Sequence, residues 1–132
     1  MSRSGSRGPA IGIDIVEIKR LEKTSKKWGK AFLKRVYTAR ELDYSMKKRF
    51  PYQHLAARFA AKEAIFKALG EVAEDFVGWK NIEILNDGNG KPWVRWHAEA
   101  EKTRLKLKIK GAAVSLSHSD HYAVASAMLI FK

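Results

Sequence analysis

The stretch that most limits what this chain can fold into lies between Pro51 and Gly70. Its segment LAARFAAKEAIFKAL (55–69) consists mostly of strong helix formers, with a proline suited to a helix start before it and a glycine suited to a helix end after it. Apolar residues occupy most sides of that helix, which predicts a largely buried element around which the rest of the chain must wrap. Glu63 sits inside it. At about 100° per residue, Ala56, Phe59, Ala60 and Phe66 all fall within roughly 60° of Glu63. A carboxylate there must be paired, neutralised or bound to a cation. The plainest partner is Lys67, one turn on; a metal ion is the other.

A second misplaced acid points the same way. Ile11-Gly12-Ile13-Asp14-Ile15-Val16 reads as a buried β-strand, and Asp14 interrupts its aliphatic run on the face of Gly12 and Val16. It is either a strand-end carboxylate capping the helix that follows or the partner of Glu63 on one hard divalent cation. Magnesium takes one or two carboxylates and completes its shell with waters and phosphate oxygens. Arg58, Lys62 and Lys67 cluster about Glu63, and several cations beside a metal suit a pyrophosphate.

The other elements follow from periodicity. From Glu17 the pattern turns helical: Ile18, Leu21 and Trp28 recur at helical intervals, and Lys19, Arg20, Lys23, Lys26, Lys27 and Lys30 between them give the helix a strongly basic outer surface. Phe32, Leu33 and Val36 extend it as a short further segment. Thr38-Ala39-Arg40-Glu41 has capping-box spacing, predicting a helix over about 39–48. Ile82-Glu83-Ile84 and Trp93-Val94-Arg95-Trp96 flank the turn residues 86–92 as a hairpin. Ala98 to Lys106 reads as helix, with a turn expected at Gly111. Val114–His118 and Tyr122–Ile130 close the chain as strands around Ser119-Asp120. The fold class is α+β, with helices packed on one face of a mostly antiparallel sheet. Residues 1–10 read as a flexible arm and 11–132 as a single domain.

Charge and composition narrow the function. Of 132 residues, 26 are Lys or Arg and 14 Asp or Glu, so the net charge of +12 calls for an anionic partner. The absence of cysteine excludes disulfides and thiolate metal sites. No apolar run is long enough to cross a bilayer or serve as a secretory signal, which leads to the expectation of a cytoplasmic protein. Ser117 and His118 are neighbours in a strand and point to opposite faces, so they form no nucleophile–base couple, although His118 can contact a ligand. The turn Gly88-Asn89-Gly90-Lys91-Pro92 lacks the P-loop pattern. An alternative reading is a small basic RNA-binding module that uses Trp28, Trp79, Trp93 and Trp96 as stacking platforms; it leaves Glu63 unexplained.

Three segments together resemble one family: Gly12-Ile13-Asp14-Ile15-Val16-Glu17 with Arg20, Arg58-Phe59-Ala60-Ala61-Lys62-Glu63-Ala64 with Lys67-Ala68-Leu69-Gly70, and Ser115-Leu116-Ser117-His118. In this order and spacing they look like the holo-acyl-carrier-protein synthases, the small type of 4′-phosphopantetheinyl transferase. The resemblance implies transfer of phosphopantetheine from coenzyme A to a serine of an acidic apo acyl carrier protein, with release of adenosine 3′,5′-bisphosphate and a requirement for Mg2+. It implies Asp14 and Glu63 as metal ligands and Glu63, Lys67 and Lys62 as catalytic residues. Arg58, Lys67, Gly90, Lys91, Pro92 and His118 become coenzyme A contacts, and Lys19, Arg20, Lys23 and Lys27 a carrier-docking surface. It also implies a homotrimer with shared active sites, and neither nucleic acid nor membrane as partner. Glu71-Val72 departs from the family's usual small Thr-Gly pair, which bears on the loop near the pyrophosphate.

Overall fold

The computed structural model describes residues 8–70 and 78–132; Glu71-Val72 and the first seven residues of the expected arm lie outside the described residues. The elements are β1 (Ala10–Glu17), α1 (Ile18–Val36), α2 (Ala39–Met46), α3 (Pro51–Leu69), a 3-10 turn (Trp79–Asn81), β2 (Ile82–Asn86), β3 (Pro92–Trp96), α4 (Ala98–Lys106), β4 (Ile109–His118) and β5 (Tyr122–Phe131). Strands β1, β5 and β4 form one antiparallel sheet in that order, and β2 pairs with β3 in a second. No described helix is long and apolar enough to cross a membrane.

Helix α3 is the axis of the molecule, as its composition demands. Leu55, Ala56, Ala60, Ala61, Ala64 and Ile65 are fully buried. Ala60, Ala61, Ala64 and Ile65 pack with Ile82 and Ile84 of β2 and with Ala125 and Ala127 on the inward face of the three-stranded sheet, whereas Leu55 and Ala56 pack with Ile18 and Leu21 of α1 and with Ala123. Small residues on β5 let helix and sheet come close. At Gly12 the approach is closest: a Cβ there would sit 1.8 Å from the Ala64 carbonyl oxygen, so no side chain fits. The opposite face of the sheet exposes Ile11, Ile13, Ile15, Met128 and Ile130.

The register and caps follow the sequence closely. Thr38 caps α2 by accepting from the Glu41 N–H, and the Glu41 carboxylate accepts from the Thr38 N–H in return. Helix α1 is interrupted at Gly29, whose φ of 65° and ψ of −149° only glycine adopts readily, so Phe32, Leu33 and Val36 form the separate segment their spacing predicts. Two expectations are corrected. Ala10 belongs to β1, opposite Leu129, rather than to the arm. The turn after α4 falls at Lys108 (φ 59°), not at Gly111, which lies inside β4 beside a register shift. Ile109 is fully buried and begins the strand there, because an apolar anchor outweighs the turn preference of a glycine two residues later.

Candidate active site

The close approach at Gly12 carries Asp14, two residues along the same face of β1, to the flank of α3. There Asp14 and Glu63 line one cleft of about 600 Å³, to which Val16, Arg20, Phe32 and Phe59 also contribute. Asp14 is largely sheltered, and its Oδ1 accepts from the Lys67 ammonium at 3.0 Å; the same ammonium donates to the Ile13 carbonyl at 2.9 Å. The pairing at Lys67 is therefore across elements, with Asp14 of β1, and Asp14 does not cap α1, whose N-terminal cap carries no side-chain hydrogen bond. Among the described residues no group of three or more His, Asp or Glu side chains forms a closed metal cage. Two carboxylates on the wall of an open cleft suit an ion that keeps water and substrate oxygens in its shell, as magnesium does.

Lys62 is in neither the cleft nor solvent, and this corrects the expectation that it flanks a phosphate. Its side chain is fully buried, and its ammonium donates to Glu41 Oε1 (2.7 Å), the Val36 carbonyl (2.8 Å) and the Trp79 carbonyl (3.0 Å). Glu41 Oε2 in turn accepts from the Ile84 N–H at 3.0 Å. The lysine thus ties the end of α1, the start of α2, the 3-10 turn and β2 to the central helix. Burial pushes its ammonium below the ordinary lysine range, and Glu41 opposes that shift.

Arg58 lies on a different side of α3, about 140° from Glu63 around the helix. It is buried, with its guanidinium carbon 4.3 Å from the centre of the Tyr44 ring and one terminal nitrogen donating to the Asn86 side-chain oxygen. Asn86 donates to the Gly90 carbonyl at 2.9 Å, so the Gly90-Lys91-Pro92 turn is tied to Arg58 through one residue. Asp87 holds that turn by accepting from the Asn89 and Lys91 N–H groups. His118 enters the same cluster from β4: it lies on the sheet face that meets α3, opposite Ala123, and its ring contacts that of His54. The residues expected at a nucleotide therefore gather in one place, and the two acids gather in another. Tyr44, His54 and Asn86 also belong to this cluster, and the sequence carries no local mark of them beyond the four-residue spacing of His54 and Arg58 on a helix.

The family model described as the 4′-phosphopantetheinyl transferase superfamily matches residues 10–127. The chain belongs to this superfamily. Among curated relatives, the holo-[acyl-carrier-protein] synthase of Protochlamydia amoebophila is 44% identical over 118 residues, covering 89% of this chain and 94% of the relative. The crystal structure of the holo-[acyl-carrier-protein] synthase of Neisseria meningitidis superposes with a TM-score of 0.84 at 35% identity, over 91% of this chain and 96% of that one. That of Helicobacter pylori, in complex with coenzyme A, does so with a TM-score of 0.80 at 28% identity, over 90% and 98%. The chain is accordingly an enzyme of the phosphopantetheinyl transferase type, with the superfamily's α+β fold.

The basic residues of α1 complete the picture. Lys19, Arg20, Lys23 and Lys27 are all exposed. Arg20 also lines the cleft of Asp14 and Glu63, so that surface adjoins the acids directly. Trp79 and Trp96 do not form platforms: Trp79 stacks on Phe59 at 4.9 Å and meets Phe66 edge-on, and Trp96 packs against the core.

Proposed function

We propose that this chain transfers the 4′-phosphopantetheine group of coenzyme A to a serine hydroxyl of an acidic apo acyl carrier protein, releasing adenosine 3′,5′-bisphosphate, in a magnesium-dependent reaction in the cytoplasm. The observation that carries the reading is the single cleft shared by Asp14, on the first strand, and Glu63, on the central helix, with Lys67 beside Asp14. Magnesium held by those two carboxylates would offset charge on the diphosphate. The serine oxygen attacks the phosphorus next to the pantetheine arm, the bond from that phosphorus to the bridging oxygen breaks, and the bisphosphate leaves with the electron pair. Glu63 is the base for the serine proton. Lys67, whose side chain is half-exposed, offsets charge on the departing group. Arg58, His118 and the Gly90-Lys91-Pro92 turn take the nucleotide part.

Lys19, Arg20, Lys23 and Lys27 dock the carrier. Their charge steers an acidic partner toward the cleft, with a rate that falls as salt rises. The separation of the nucleotide cluster from the acids around α3 supports a homotrimer in which one coenzyme A spans two chains, using the acids of one and the Arg58 cluster of its neighbour. The exposed aliphatic face of β1 and β5 supports the same assembly. The RNA-binding alternative loses two of its four tryptophans to the core.

Mass spectrometry of an apo carrier incubated with the protein, coenzyme A and magnesium tests the proposal. The carrier gains the mass of phosphopantetheine, and Glu63→Gln abolishes that gain while leaving the folded circular-dichroism spectrum unchanged. No gain on any carrier tested would overturn the reading.

A further inference from the structure

On the Arg58 side of α3, His54 and His118 meet edge to edge with ring centroids 6.1 Å apart, and Tyr44 lies 6.0 Å from His54 on its other side. His54 is half-buried in the first turn of α3, whereas His118 is exposed at the end of β4. The titratable groups that act on His54 lie on three segments: Arg58 on α3, Lys48 just past α2 and His118 on β4. Among the described residues none of these is negative. Arg58 and Lys48 both lie over the Tyr44 ring, at 4.3 and 4.5 Å, and the buried Arg58 Nε has no hydrogen-bond partner among the described residues. The cluster is a concentration of positive charge with one donor unused.

We propose that His54 is a further coenzyme A-binding residue, and that it takes up a proton when a phosphate of the nucleotide settles among His54, His118 and Arg58. This rests on the proposed function, since the anion it invokes is the nucleotide of coenzyme A. Burial, reinforced by Arg58, His118 and Lys48, holds the His54 imidazole below its ordinary range. A phosphate monoester carrying nearly two negative charges reverses the balance at that ring and favours the imidazolium. With the free value depressed and the bound value raised, affinity increases as pH falls from the bound value to the free one. Above both values His54 is neutral in both states, and below both it is charged in both, so the slope vanishes at either extreme. The phosphate's own second ionisation, near pH 6, works in the opposite direction, so only comparison with a His54 variant isolates the histidine.

Calorimetric titration of the intact protein with adenosine 3′,5′-bisphosphate, in two buffers of different ionisation enthalpy between about pH 6 and pH 8, counts the protons taken up. We expect wild-type protein to take up about half to one proton per site near neutrality. Its affinity should rise about three- to tenfold from the alkaline to the acid end of that window. His54→Gln should lose most of the uptake and most of the rise. Should that variant fold poorly, the NMR titration of the His54 ring in wild-type protein substitutes for it, and its midpoint must move up when the nucleotide is added. Equal proton counts in wild type and His54→Gln, or an unmoved midpoint, overturns the inference while leaving the transferase reading intact. Absence of binding by both adenosine 3′,5′-bisphosphate and coenzyme A at every pH overturns both.

Discussion

Replacing Lys62 by methionine separates a structural lysine from a phosphate-binding one. The substitution keeps most of the side-chain volume but removes an ammonium that holds three oxygens within 3.0 Å. Breaking a buried ion pair by removing one partner costs about 3–5 kcal/mol. Two facts bear on where in that range the loss falls. Glu41 keeps its bonds from the Thr38 and Ile84 N–H groups, which softens it. The Val36 and Trp79 carbonyls each lose a donor, and a buried acceptor left unsatisfied costs about 1–3 kcal/mol. These losses share one network and do not add, so a total of about 3–5 kcal/mol stands. For a chain of this size that lowers the melting temperature by about 10–20 °C. Thermal circular dichroism reads the loss, and carrier modification well below the melting range reads the site. The folded variant should keep its KM for coenzyme A, and its turnover should stay within about threefold of wild type, because Asp14, Glu63 and Lys67 lie on another side of α3. Adding Glu41→Gln should recover part of the stability, with a coupling of about 1–3 kcal/mol. A variant that melts with the wild type yet no longer modifies the carrier would refute the reasoning and return Lys62 to the phosphate.

Two further outcomes are expected. Gly12→Ala places a methyl group 1.8 Å from the Ala64 carbonyl oxygen, so strand and helix must part. The overpacking costs about 3 kcal/mol or more, and carrier modification falls by more than about tenfold as Asp14 is drawn from Glu63; wild-type turnover would show that the close approach does not set the site. Ile13→Lys alters a side chain that is 61% exposed in the single chain, so the chain's own stability changes by less than about 0.5 kcal/mol. Light scattering should nonetheless drop from the mass of three chains to that of one, and an unchanged mass would show that this sheet face is not the assembly surface.

Much of this protein is determined by local pattern. The apolar circumference of 55–69 requires a central helix, the Thr38–Glu41 spacing gives a capping box that forms as read, and the hairpin turn is held by Asp87 from within its own loop. Each depends on residues a few positions apart, whose mutual geometry the backbone dictates. Glu63 was conspicuous for the same reason, because a helix places side chains relative to their neighbours without reference to the rest of the chain. The choice of partner is a different matter. Lys62 and Lys67 are both lysines on one helix, yet one is buried against Glu41 and the other half-exposed beside Asp14. Nothing within α3 distinguishes them, because the acid that claims each belongs to α2 in one case and to β1 in the other. His54 likewise meets Tyr44, Lys48 and His118 only when α2 and β4 close upon α3. Charge interacts through space and takes its energy from burial and distance, and both are set only when distant segments pack together.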